Sequence, residues 1–531
     1  MTFQPILING SWQQAYSPVG SFTAINPATK TALKEIYPVS SFTDVDMMLT
    51  AAQKTIMELR SVPTDFIADF LEAFANNIEF RKEEIIEKAS LETALLQEPR
   101  LSSQELPRTT NQLRQAAAAV RDRSWCQATI DTKVNIRSKY GPLNGPILII
   151  GPNNFPLAFN SISGGDFAAA IAAGNPIIAK ANPGHPGTTK ILAEAAFEAI
   201  KRTGLPPAMV QLFYHLQPED GLKLVAHPRL GATAFTGSRT AGLKIKEAAD
   251  RAGKPIYLEM SSLNPVFILP GALQERLEEI AKEFFNSCTL GTGQFCTKPG
   301  LVILGQDKFS KAFLKIVKDY FQLAPAGILL SNNVLQDLKS SIKIMKAYGA
   351  EILTGGQEIK GKGYRFANTL ICISGNVFLK NIKFLQIEAF GPSSLFVFAE
   401  DKAQIKEIAS KLDGSLTASI YSHSKGKDDQ LYEEIEPFLR QKVGRLLNDK
   451  MPTGVAVSPA MNHGGPFPAT GHPGFTAVGI PASMLRFSAL HCYDNVRPHR
   501  LPLELQDKNP TGHMWRFING QWTTRDVFPN K

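Results

Sequence analysis

The sequence predicts an α/β fold built on two parallel sheets with helices on their faces. Three observations carry this. Strand-like and helix-like runs alternate over residues 145–262, the alternation returns over residues 300–450, and glycines such as Gly174 and Gly204 close the helical runs. Strand, turn and helix repeated in this way give a parallel sheet, because each return crosses the sheet face through a helix.

The elements follow in order. Residues 146–150 are a short apolar strand ending in Gly151-Pro152, and an Ala-rich helix over 166–173 follows it. Residues 176–180 are the next strand, and a helix runs over 187–203. Further strands fall at 209–213, 232–235 and 255–259, with a helix over 240–251 between the last two. Ligands of such sheets bind beyond the strand C-termini, and Asn154, Lys180, Gly237-Ser238 and Glu259 fall there. In the second unit, strands are expected at 301–304 and 394–398 and a Lys-studded helix over 309–320. Residues 277–290 look helical and lead into a glycine-rich run. Residues 456–479 are rich in Gly, Pro and His and read as a long loop, which inside a folded protein serves a site or an interface. Residues 134–140 alternate apolar and polar like an exposed-edge strand. Ile8-Asn9-Gly10-Ser11-Trp12 returns as Ile518-Asn519-Gly520-Gln521-Trp522, which reads as one hairpin turn used twice.

Composition narrows the function classes. At 531 residues the chain has room for two to four domains, at roughly 150 residues each. Its 44% hydrophobic and 20% charged content is that of a soluble globular protein. The net charge of +9 is scattered, with no basic run interleaved with aromatics, which argues against nucleic acid. The N-terminus carries no signal-peptide pattern, and no apolar run reaches the ~18 residues of a membrane span. The five cysteines (126, 288, 296, 372 and 492) are odd in number and widely spaced, so they fit neither a disulfide framework nor a zinc site. A cytoplasmic setting is therefore expected.

Each candidate for chemistry has a plainer reading beside it. Cys296, in Gly291-Thr292-Gly293-Gln294-Phe295-Cys296-Thr297, is either a nucleophile that a carbonyl must approach or a packing cysteine. Its reactive form is the thiolate, which needs an electropositive or amide-rich setting. Gly291 and Gly293 read as clearance for a substrate at the sulfur. Asn154 could donate its amide to an oxyanion, worth about 3–4 kcal/mol in other enzymes, or close an Asx turn before Pro156. Glu259, ending an apolar strand, is a general base or a helix cap. The run Phe235 to Gly242 turns from strand to helix on Gly237-Ser238, where free backbone N–H groups suit a phosphate; it lacks the six-residue dinucleotide fingerprint. Lys180 and Glu388 alone read as surface charges.

Together and in this order, these motifs resemble the aldehyde dehydrogenase superfamily over nearly the whole chain. Asn154-Phe155-Pro156-Leu157 resembles the segment with the oxyanion asparagine, and Lys180 the lysine at the adenosine ribose. Gly237-Ser238 through Gly242 resembles the pyrophosphate turn, and Leu258-Glu259-Met260 the segment with the general base. Gly293-Gln294-Phe295-Cys296 resembles the nucleophile motif, and Glu388-Ala389-Phe390-Gly391-Pro392 the nicotinamide-ribose motif. The resemblance implies two Rossmann-like parallel-sheet domains plus a small oligomerisation arm. The cofactor domain would take residues 1–121 and 142–262 and the catalytic domain 263–455. The arm would take 122–141 and 480–496, the loop 456–479 would serve the active site or an interface, and 497–531 would be an extension whose role is not derivable.

The departures point to one branch. Asn153 stands where most members have Trp, Ser261-Ser262-Leu263 replaces a Gly-Gly-Lys run, and Pro183 stands where NAD-preferring members often carry Glu. With residues 181–187 and 464–470, these resemble the 2,5-dioxovalerate (α-ketoglutarate semialdehyde) dehydrogenases. NADP-dependent fatty aldehyde dehydrogenases lie close to that branch. The expected reaction is oxidation of an aldehyde through a Cys296 thiohemiacetal and thioester, without a metal. NADP is the expected cofactor, with NAD as the other choice, because Pro183 removes a charge that would repel a 2′-phosphate while Lys180 adds an attractive one. Glu219 and Asp220 would argue the other way if they lay near the adenosine. An anionic semialdehyde would want an arginine, from Arg108, Arg114 or Arg121; a fatty aldehyde would want an apolar funnel, from Phe155, Phe159 and Ile162. A homodimer or homotetramer is expected. The competing readings are a non-catalytic protein on this fold and a cysteine hydrolase without redox chemistry.

Overall fold

The computed structural model describes residues 2–527. Its first sheet has the strand order Ile256–Glu259, Ala232–Thr236, Ile147–Ile150, Ile177–Lys180, Val210–Phe213, Ile6–Ile8, Ser11–Gln13. The first five run parallel, and the N-terminal hairpin closes one edge antiparallel. Helices Gly165–Ala172, Pro186–Thr203 and Arg239–Arg251 form the crossovers. The predicted elements of this unit are found within a residue or so of their bounds. Short apolar runs flanked by Gly and Pro leave a strand as the only way to bury such residues in so few positions.

From Ile147–Ile150 the chain winds outward through Ile177–Lys180 and Val210–Phe213. It then returns to lay Ala232–Thr236 on the other side of Ile147–Ile150. That reversal is a topological switch point, where the loops leaving the two adjacent strand ends part and open a crevice. The loops in question carry Asn154 and Gly237-Ser238.

The second sheet runs Glu351–Thr354, Thr369–Ser374, Ser393–Ala399, Leu301–Gly305, Pro265–Ile268, Ser415–Tyr421, Val443–Asn448 and is parallel but for its first strand. Neighbouring residues along its strands divide between two cores. Phe267 and Ile303 pack in one, Val266, Val302 and Leu304 in the other. Both faces are thus buried, which is why the central strands Pro265–Ile268 and Leu301–Gly305 read as unbroken apolar runs.

A third sheet pairs Thr31–Ser40 with Gly20–Asn26 and His215–Leu216. The fourth is an arm ordered Ser488–Asp494, Ile136–Pro142, Thr129–Asp131, Arg516–Ile518, Gln521–Thr523. It corrects one expectation. The strand expected at an exposed edge is paired on both sides, and the edge belongs to Ser488–Asp494. Both faces of a thin arm are partly wet, so an interior strand there alternates as an edge strand does. Residues 497–527 are built into this arm. Glu504 binds Lys139 at 2.6 Å and Arg123 at 3.3 Å, and the fully buried Arg516 donates to the carbonyls of Gln506, Asp507 and Arg525. Both Asn-Gly runs are hairpin turns with positive φ at each central residue: 47° and 72° at Asn9-Gly10, 49° and 87° at Asn519-Gly520.

Residues 456–479 form turns and loop, joined to the first sheet by a bridge between Thr470 and Glu259. Met260 N donates to Ala469 O at 2.8 Å, and Gly471 N to Leu258 O at 3.0 Å. This loop therefore docks on the strand that ends in Glu259. No helix of the described residues is long and apolar enough to cross a membrane.

Candidate active site

A cavity of about 800 Å³ opens at the switch point and is lined by Asn154, Gly237, Ser238, Glu259, Cys296 and Glu388, with Phe390 at its wall. Residues far apart in sequence thus meet in one cleft.

Cys296 follows a strained turn. Gly291, Thr292 and Gly293 take φ values of 57°, 60° and 67°. A β-branched residue in the left-handed region is a real outlier, and such strain collects at functional sites. A Cβ on Gly293 would lie 2.2 Å from the Gly391 carbonyl oxygen, and one on Gly291 would lie 2.6 Å from the Phe295 ring. These glycines serve the turn and its close packing on the Glu388–Pro392 segment, which corrects the reading of them as clearance for substrate. The turn is fixed from behind by Asn264, whose amide donates to the carbonyls of Cys296 at 2.8 Å and Lys298 at 2.9 Å. Ser262 in turn donates to Asn264 and accepts from Leu416 N. The Ser-Ser departure therefore packs behind the nucleophile turn through hydrogen bonds.

Asn154 is buried, and its amide donates to Gln294 O at 2.9 Å, beside Cys296. Its own carbonyl accepts from Arg100 at 3.0 Å. Arg100 is paired with the buried Glu105, which also accepts from Leu157 N and Ala158 N at 2.8 and 2.9 Å. This ion pair holds the loop that carries Asn154. Sequence reasoning missed Arg100, Glu105 and Asn264, because structural polar residues at arbitrary separations leave no spacing pattern.

Glu259 is 1% exposed. One carboxylate oxygen lies 2.9 Å from His463 Nε2, and the other is buried without a partner. The same His463 nitrogen lies 3.5 Å from Cys296 Sγ. Sequence reasoning did not single out His463; its only signal was its place in the Gly-, Pro- and His-rich loop. Burial pushes the Cys296 thiol well above its ordinary pKa, the Glu259 and Glu388 carboxylates push it further, and Arg108 opposes them.

On one side the cleft suits a nucleotide. Ser238 caps the helix Arg239–Arg251, whose first-turn N–H groups have no acceptor within the helix. Gly242 lets that helix pack onto Met260. Lys180 does not line the cavity; its ammonium donates to Ala181 O at 3.1 Å, and burial holds its pKa down at about 8. His215, which does line it, is pushed down to about 4 by burial and by the Lys180 charge. Pro183 lines the cavity, whereas Glu219 and Asp220 do not, and Asp220 pairs with Lys223. Burial lifts Glu388 to about 7 against the pull of Lys298.

A second cavity, of about 450 Å³, is lined by Arg100, Arg108, Phe155, Leu290, Phe295 and Val455, among others. Its aromatic wall is tight: Phe155 lies 5.1 Å from Phe295 and 5.2 Å from Phe159, centroid to centroid. Arg108 stands over Phe159 at 5.0 Å, with Nε and Nη2 buried and unpartnered. Burial pulls the Arg108 pKa down, while Glu105, Cys296 and Glu259 pull it up. Three candidates are corrected. Arg114 is on the surface, bound to Glu79 at 2.6 Å. Ile162 is fully buried in the core of the first sheet. Arg121 is likewise tied to Asp69 and Glu72.

The comparisons with known proteins accord with this geometry. The model of the aldehyde dehydrogenase family matches residues 12–452. The chain is 35% identical over 503 residues to alpha-ketoglutaric semialdehyde dehydrogenase 2 of Azospirillum brasilense, covering 92% of this chain and 94% of that one. It is 34% identical over 534 residues to alpha-ketoglutaric semialdehyde dehydrogenase of Acinetobacter baylyi, covering 97% and 98%. Among solved structures, the NAD+ complex of an aldehyde dehydrogenase from Bacillus cereus superposes with a TM-score of 0.79 at 21% identity, over 93% of this chain and 96% of that one. A cysteine-to-alanine mutant of aldehyde dehydrogenase C from Pseudomonas syringae, in complex with NAD+ and octanal, does so with a TM-score of 0.79 at 20% identity, over 94% and 98%. The chain belongs to the aldehyde dehydrogenase family and is an oxidoreductase that acts on aldehydes with a nicotinamide cofactor.

Proposed function

We propose that this enzyme oxidises 2,5-dioxovalerate, the semialdehyde of α-ketoglutarate, to 2-oxoglutarate, with NADP as the preferred cofactor. The observation that carries the substrate is Arg108. It is a guanidinium with two covered, unpartnered donor atoms, held over an aromatic wall near the thiol. A half-buried cation whose covered donors have no acceptor is costly unless a ligand supplies a counterion. A substrate carboxylate does so, and the guanidinium fork matches its two oxygens. The relatives' names support the same choice.

The cleft fits a nicotinamide dinucleotide in size and in donors. The first turn at Ser238 would face the pyrophosphate, Glu388 would accept from the nicotinamide ribose, and Phe390 would shape the wall, while Gly242 would act from behind by seating the capped helix on Met260. Pro183 lines the cleft where a carboxylate would repel a 2′-phosphate, and the Lys180 charge reaches the lining residue His215, so this segment favours the phosphate. When bound, the cofactor accepts the hydride from the aldehyde carbon.

The chain's own residues do the rest. Cys296 attacks the aldehyde carbon, and the alkoxide that forms is held by the Asn154 amide and the Cys296 backbone N–H. Loss of hydride leaves a thioester on Cys296. Glu259 takes a proton from water, and the hydroxide releases the acid and restores the thiol. The arm, with Ser488–Asp494 at its open edge and Leu490 exposed, would join copies into a dimer or tetramer; a monomer on size-exclusion chromatography would contradict that.

The aromatic wall favours a second substrate class, apolar aldehydes. Aldehyde-dependent NADPH formation with 2,5-dioxovalerate beside hexanal decides between them. A higher kcat/KM for hexanal would overturn the assignment.

A further inference from the structure

We infer that His463 is the group that takes the proton from Cys296, so that a Cys–His–Glu relay generates the thiolate. The inference deepens the reaction proposed above and rests on separate geometry. The His463 ring is 2% exposed and packs on Phe159 at 5.6 Å. Its backbone is fixed on both sides: His463 N donates to Thr476 Oγ1 at 2.9 Å, and Ala477 N donates to His463 O at 2.9 Å. A ring held this firmly presents one nitrogen, Nε2, to both Cys296 Sγ at 3.5 Å and Glu259 Oε1 at 2.9 Å.

The step is a proton transfer alone. In the tautomer with its proton on Nδ1, the Nε2 lone pair faces both the thiol and the Glu259 carboxylate, and the nearby anion makes that nitrogen the more basic toward the thiol proton. The S–H bond breaks, the Nε2–H bond forms, and the electron pair stays on sulfur. The new Nε2–H then donates to Glu259, so the imidazolium sits between two anions. Without it, Glu259 faces the sulfur as a bare negative charge, which opposes ionisation of a buried thiol. The imidazolium reverses the sign of the group nearest the sulfur. The other charged groups acting on the sulfur are Glu388, which opposes the thiolate, and Arg108 and Arg445, which favour it. Cysteine nucleophiles elsewhere are activated in this way by a neighbouring imidazole. The proton stays on His463 through the thioester stage and returns to sulfur when the thioester is hydrolysed, while Glu259 Oε2, which has no partner, serves the water.

The test is iodoacetamide labelling of Cys296 in the full chain across pH 5–10, read by mass spectrometry of its peptide so that Cys372 and Cys492 do not count. A chelator is included, because the three donor atoms lie within 4.8 Å of one another and would take up a stray thiophilic ion. His463→Gln and His463→Asn are compared with the parent, with NADP binding as the check on folding. The expected result is an inflection at least one pH unit higher in both variants, and labelling at pH 7 about tenfold slower. An unchanged labelling profile in a variant that binds NADP overturns the relay. If neither variant binds NADP, the parent decides: an inflection below pH 9 supports the relay, and one above it refutes it. Labelling needs no aldehyde turnover, so a shifted profile in a protein inactive on every aldehyde would keep the relay and sink the reaction.

Discussion

Replacing Arg108 by Leu separates recognition of a carboxylate from everything else the cleft does. The guanidinium has no ion-pair partner among the described residues, and two of its nitrogens lack any hydrogen-bond acceptor. A substrate carboxylate would therefore gain two charge-assisted hydrogen bonds, at roughly 1.5–3 kcal/mol each. Some of that is already spent on desolvating the anion, so a net loss of ~3 kcal/mol is a reasonable central figure. At 1.36 kcal/mol per decade this is a fall in kcat/KM of ~100-fold for 2,5-dioxovalerate. Hexanal makes no use of the charge, and its kcat/KM should stay within ~3-fold on the same argument. Stability gives an independent reading. The parent holds a half-buried cation with no hydrogen-bonded counterion, so Arg108→Leu should hold or raise the melting temperature, because it swaps a partly desolvated charge for apolar contact with Phe155 and Phe159. Arg114→Leu is the control: it removes an exposed pair with Glu79, of ~0–1 kcal/mol, and should leave both substrates alone. Equal losses on both aldehydes, or none on the semialdehyde, would refute the assignment of Arg108.

The fold was legible because apolar runs buried on both faces of a sheet have no other reading at their length. Residues such as Val266 and Phe267 feed opposite cores, and no polar period interrupts them. The cleft was legible where chemistry needs a rare residue at a strand end or turn. Cys296, Glu259 and Gly237-Ser238 all line it. What stayed hidden depended on long-range partners. Arg100, Glu105 and Asn264 pin the two loops from a distance, and no local pattern marks a residue whose partner lies far along the chain. Among Arg108, Arg114 and Arg121, one helix face decides which is inward, and an arginine's reach blurs that distinction in sequence. The glycines before Cys296 show the reverse error. Their setting was read correctly as special, but the demand comes from the Gly391 carbonyl and the left-handed turn.

Three further outcomes follow from the structure. Pro183→Glu restores a carboxylate at the cleft wall and should move the preference from NADP toward NAD by tenfold or more, on the ~1.4 kcal/mol that one like charge near a phosphate supplies; an unchanged ratio of kcat/KM values would place the 2′-phosphate elsewhere. Gly293→Ala puts a methyl group 2.2 Å from a backbone oxygen at a φ of 67°, so the turn must shift, and Cys296 labelling should slow even if the melting temperature falls by only a few degrees. Glu388 provides a pH dependence with a definite sign. Burial raises its pKa from 4.5 to about 7, so the folded protein holds an extra proton between those values. The group's contribution to stability is therefore fully present below pH ~4.5 and is lost as pH rises to ~7. Cofactor binding runs the other way, because the ribose hydroxyls need the ionised acceptor. The parent's KM for NADP should climb as pH falls below ~7, while Glu388→Gln should bind weakly at every pH and melt higher than the parent above pH 7. A parent KM that is flat from pH 5 to 8 would mean that the Glu388 carboxylate does not hold the ribose.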